Sequence, residues 1–167
     1  MSKILIATDA SPSAEQAVHF GVQLAREQGA EAAFVHVVPS YDLAPVFAFG
    51  MSAVIPHELT KEDRASLQAA AHLAEQKGVR ATIKLLAGDA ADEIVAHADS
   101  IDADMIVVGS RGHGAVAGTL LGSVSRGLLR EARRPVLVVP GAAHQPATPI
   151  QALRKTRRPS RKIPQHV

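Results

Sequence analysis

The chain has 167 residues, 47% of them hydrophobic and 20% charged, with no cysteine. That is enough for one compact unit with its own core, and it excludes disulfide frameworks, thiolate metal sites and cysteine nucleophiles. The formal charge of +2 is unevenly placed: residues 1–140 hold 12 basic and 16 acidic side chains, a net of −4, whereas residues 141–167 hold six basic side chains and no acid.

Residues 3–8 (KILIAT) form a short apolar run ended by Asp9 and read as a buried first strand. The run is too short for a signal-peptide core, so a cytoplasmic address is expected. Ser11 can cap a helix with Pro12 at its first position. Ala14, Ala17, Val18, Gly21, Leu24 and Ala25 then follow the 3.6-residue stripe to a stop at Gly29. Residues 32–38 (AAFVHVV) make a second strand. Residues 39–57, with Pro39, Pro45, Pro56 and three of the five aromatics, read as a long connection of the kind that often carries function.

Thr60 and Asp63 resemble a capping box opening a second helix that runs to Gly78. A third strand follows at 80–87 (RATIKLLA), then a third helix opened by Asp89 and Asp92, and a fourth strand at 105–108 (MIVV). A glycine-rich loop leads to a fourth helix at 123–132, and Val136–Val139 (VLVV) is the fifth strand. Strands apolar on both faces that alternate with helices mean a parallel sheet covered on each side, with ligands at the carboxyl ends of the strands. The remainder, 142–167, carries four prolines and clustered Lys and Arg, and reads as a disordered extension separate from a folded domain of residues 1–141. It is either solvated or in loose contact with nucleic acid, anionic lipid or an acidic partner. No stretch is long and apolar enough to span a membrane.

Five of the twelve glycines fall between Gly109 and Gly122, interleaved with Ser110, Arg111 and His113. Glycine at this density lets backbone N–H groups approach an anion, and Gly122-Ser123-Val124-Ser125 delivers the loop to a helix start that favours phosphate. The alternative is a plain glycine loop with Ser123 as N-cap. Other chemistries fail on spacing. No GxxxxGK[ST] exists, Gly112, Gly114 and Gly118 miss the dinucleotide fingerprint by one residue, and no GxSxG elbow is present. A receiver domain needs a second acid beside Asp9 and an Asp after strand three, where Ala87-Gly88 stands. His19, His36, His57, His72, His97 and His113 show no metal-ligand spacing, and His36 reads as a core or strand-end histidine.

The run from Val108 to Ser125 (VGSRGHGAVAGTLLGSVS) fits G-x2-G-x9-G-S through Gly109, Gly112, Gly122 and Ser123. With KILIATD and its Ser-Pro turn, Val37 and PVLVVP, it resembles the ATP-binding branch of the universal stress protein family over residues 1–140. The resemblance implies an open five-stranded parallel sheet in the order 3-2-1-4-5, Rossmann-like and adenine nucleotide alpha hydrolase-like. It also implies an ATP site formed by Ala7, Thr8, Asp9, Val37, Val108, Gly109, Arg111, Gly112, Gly122, Ser123, Val124 and Ser125. Asp9 would act near Mg2+ or Mn2+ through the phosphates, Val37 would meet adenine through its backbone, and Gly122, Ser123 and Ser125 would grip phosphate. By its residue type alone, Asp9 also has a lesser reading as a helix cap.

The expected function is a nucleotide-dependent stress-response or signalling module rather than an enzyme. The alternatives are a slow ATPase, or a non-nucleotide dimeric interaction module whose tail meets nucleic acid or an acidic partner. Val136–Val139 carries no charge or proline to protect a sheet edge, so a homodimer through that strand is expected.

Overall fold

The computed structural model describes residues 1–46, 51–56, 61–112 and 120–141. The elements run β1 (Lys3–Ala7), α1 (Pro12–Gln28), β2 (Glu31–Val38), β3 (Tyr41–Val46), β4 (Met51–Pro56), α2 (Lys61–Gln76), β5 (Ala81–Ala87), α3 (Ala90–Ser100), β6 (Met105–Gly109), α4 (Ser123–Glu131) and β7 (Val136–Val139). A five-stranded parallel sheet has the order β5-β2-β1-β6-β7. Counted along the sheet's own strands, this is the expected 3-2-1-4-5.

Side-chain alternation divides the core into two layers. Ile4, Ile6, Phe34 and Val107 face α1 and α2, where Ala17, Val22, Leu67 and Ala74 meet them. Leu5, Val35, Ile106 and Val108 face α3 and α4, against Ile94, Ala98 and Leu128. A period of two with apolar residues at every position fills both layers at once. Phe34 is fully buried in the first layer, where truncation to Ala would cost about 3–5 kcal/mol.

The helices begin and end where their caps dictate. The Ser11 hydroxyl accepts the Ala14 N–H at 3.3 Å with Pro12 next in line, and Gly29 closes α1 in the left-handed region at φ 62°. Asp89 caps α3 by accepting from Ala91 at 3.0 Å and Asp92 at 3.3 Å.

One expectation is corrected. Most of the stretch read as a long connection forms strands: β3 and β4 pair antiparallel, from Tyr41↔Pro56 to Val46↔Met51, as a sheet of their own. Pro45 and Pro56 hid the pattern, because proline argues against a central strand, yet in a two-stranded ribbon each strand is an edge and tolerates it. Thr60, His57, Phe47, Phe49, His113 and the tail 142–167 lie outside the described residues. No helix among the described residues is long and apolar enough to cross a membrane.

Candidate functional site

The carboxyl ends of β1, β2 and β6 and the first turn of α4 enclose a cavity of about 410 Å³, within the size range of small-molecule sites. All twelve residues named from the sequence line it, although they come from four separate elements. His36, Pro39 and Asp63 also line it and were not anticipated as site residues. His36 is only half-buried, at a strand end, and its Nδ1 donates to the Thr8 carbonyl at 2.6 Å. A carbonyl oxygen only accepts, so the proton sits on Nδ1 and, in the neutral ring, Nε2 is left as an acceptor.

At one end of the cavity α4 starts without a side-chain cap among the described residues. Gly122 occupies the cap position (φ −71°, ψ 171°), and no acid stands in the first turn. The first bond back into the helix is Arg126 N–H to the Gly122 carbonyl at 3.1 Å. The amides of Ser123, Val124 and Ser125 precede it, at the end of the helix where the dipole is positive. Ser123 is therefore the first helical residue rather than the cap. Ser125 is buried, and its hydroxyl donates to the Gly109 carbonyl at 2.8 Å, so the group it offers the cavity is its amide.

Asp9 sits beside this helix start. Its Oδ1 accepts the Ser11 N–H at 3.0 Å, and a Cβ added to Gly112 would lie 2.5 Å from Oδ2. The capping role on α1 belongs to Ser11, not Asp9. Between them Ala10 is held at φ 60°, a left-handed conformation that costs a non-glycine residue about 1 kcal/mol or more. Gly109 has a packing reason of its own: a Cβ there would come within 2.6–2.7 Å of the Ser13 and Ala14 backbone.

At the other end the sheet runs out unevenly. The last β1–β2 pair is Ala7↔Val35, sealed by Thr8 N–H to the Val35 carbonyl at 2.9 Å, while β2 continues along β5 to Val38↔Ala87. In a parallel ladder alternate residues direct both N–H and C=O to the same neighbour. Val35 points them at β1, and Val37 points them the same way, past the end of β1 and into the cavity.

The Universal stress protein family pattern matches residues 1–140. The chain belongs to that family. A universal stress protein of Methanocaldococcus jannaschii is 34% identical over 137 residues, covering 82% of this chain and 81% of that protein. Among solved structures of universal stress proteins, one in complex with cAMP superposes with a TM-score of 0.62 at 27% identity, covering 84% of this chain and 98% of the other. Another, from Archaeoglobus fulgidus in complex with dAMP, has a TM-score of 0.60 at 25% identity and covers 83% and 98%. In this universal stress protein the glycine spacing marked the loop residues that line the cavity, Gly109, Gly112 and Gly122, from sequence. His36 and Asp63 carried no such signal, since each was accounted for locally by a strand end or a helix start.

Proposed function

We propose that this chain binds ATP, with Mg2+ or Mn2+ on its phosphates, and acts as a nucleotide-dependent stress-response module in the cytoplasm. The observation that carries the reading is one cavity with complementary ends. A backbone donor and acceptor at Val37 suit the N1 and N6 positions of adenine, and three helix-start amides with no acid in their own first turn suit phosphate. Adenine nucleotides on solved relatives support the same ligand class. No group of three His, Cys, Asp or Glu side chains among the described residues could hold a metal alone. A magnesium-like ion needs only one or two carboxylates when phosphates and water complete its shell, and Asp9 would be the carboxylate. Bound there, the ion would neutralise phosphate charge.

The reading is one of holding nucleotide rather than turning it over quickly. Hydrolysis needs a positioned base and charge stabilisation on the transferring group. Asp9 Oδ1 is already committed to the Ser11 amide and His36 Nδ1 to Thr8. A slow ATPase is the second reading, favoured by Asp63 and the His36 ring on the cavity wall. Isothermal titration of ligand-stripped protein with ATP, ADP, AMP and NAD tests the first reading: heat with ATP is expected, and silence with every adenine nucleotide overturns it. Phosphate release at the rate of a metabolic kinase would replace it with the second.

The unit is proposed to be a homodimer through β7, which among the described residues pairs only with β6 and ends the sheet. Light scattering at micromolar concentration should give a dimer, and Val136→Lys with Val138→Lys should give monomer or aggregate. Any nucleic-acid contact is assigned to the basic tail, whose removal should leave ATP binding intact.

A further inference from the structure

Two buried serines at the start of α1, the cap Ser11 and Ser13 of the first turn, grip the loop that leaves β6. The Ser11 hydroxyl, besides capping α1, donates to the Arg111 carbonyl at 3.2 Å. The Ser13 hydroxyl donates to the same carbonyl and accepts the Arg111 N–H at 3.1 Å. Ser13 is 5% exposed. Its hydroxyl has no capping duty, because Ser11 is the cap, and both of its bonds go to a residue 98 positions away.

We propose that Ser13 is a positioning residue for the phosphate end of the cavity, acting through the backbone of Arg111. The proposal rests on the nucleotide reading above. Arg111 lies between Gly109, which packs directly on the Ser13 and Ala14 backbone, and Gly112, which borders the Asp9 carboxylate. Fixing both the N–H and the C=O of one residue removes its peptide rotations, so Arg111 and Gly112 face the α4 start in one orientation. Helix α1 thereby serves as the datum for Arg111 and Gly112, the described residues that follow β6. The role concerns only the phosphate end, since Val37 is aligned by β2 and β5.

The test separates the two ends of the ligand. Ser13→Ala should weaken ATP about tenfold by titration calorimetry, the size expected for losing two hydrogen bonds. Affinity for adenosine, read by saturation-transfer NMR, should change less than about twofold, and this retained binding also reports that the variant is folded. Ser13→Cys keeps the volume with a much weaker hydrogen-bonding group and should lose ATP affinity in the same direction. It carries the test if the alanine variant does not fold. Equal losses for ATP and adenosine would show a merely structural role and overturn the proposal, as would unchanged ATP affinity. Failure of the unsubstituted protein to bind ATP at all would instead overturn the nucleotide reading, and this role with it.

Discussion

Helices α3 and α4 both begin from a cap residue in extended conformation but with opposite chemistry. Asp89 (φ −72°, ψ 126°) seals the α3 start with its carboxylate, and Asp92 and Glu93 follow in the first turn. Acid is crowded there: a hydrogen bond with Glu131, then the charge of Asp89, holds the Asp92 carboxyl above its usual range. Gly122 (φ −71°, ψ 171°) leaves the α4 start open, with no acid in its first turn. Both starts flank the same cavity, since Ala90 and Ser123 each line it. A helix start that the chain caps for itself is structural; one left uncapped at a cavity, with no acid in its own first turn, is available to an anion from outside.

The sharpest way to break this contrast is to make α4 resemble α3. Gly122→Asp would place a carboxylate on the open amides, so ATP affinity should fall about a hundredfold by titration, while the melting temperature holds or rises. Gly122→Ala is the control. A Cβ there would meet nothing closer than 3.5 Å, so the fold should be kept. The lost backbone approach should cost ATP about tenfold.

The reverse change is Asp89→Ala, which should destabilise by about 1 kcal/mol. That corresponds to a few degrees in melting temperature by calorimetry, with ATP affinity unchanged. The smallest effect is expected at Asp104, another carboxylate that holds backbone amides, here Ser2 at 2.5 Å and Lys3 at 2.9 Å. The Lys3 and Ser2 amides depress its pKa. A depressed carboxyl contributes stability that is complete above the unfolded value of 3.8 and is lost as pH falls through the folded value. Asp104→Asn should therefore lower the melting temperature slightly at pH 7, and the gap to the unsubstituted protein should narrow below about pH 4 in an acid titration followed by circular dichroism.

The same contrast explains what was legible beforehand. Strands such as KILIA and VLVV announce themselves by apolar runs, and Ser11-Pro12 and Asp89 by residue type, because local side chains decide those features. The glycine spacing from Gly109 to Gly122 also shows in the letters. The pairing of Tyr41–Val46 with Met51–Pro56 did not, since proline statistics describe central strands and not a lone ribbon. The grip of Ser13 on Arg111 was invisible for another reason. It joins residues 98 positions apart, and nothing in either neighbourhood signals the other. His36 looked like a strand-end residue, which is where it lies; its place on the cavity wall follows from where β1 stops.

That stopping point has its own consequence. The donor and acceptor of Val37 lie beyond the β1 ladder because β2 outlasts β1 by three residues after the Ala7↔Val35 pair. Under the nucleotide reading proposed above, adenine recognition at this end would be encoded as a difference in strand lengths rather than as an identity. Residue 37 is free to drift among side chains that sustain a strand while the polar pair stays in place. Carrying β1 two residues further would close the slot while Val37 itself stayed unchanged.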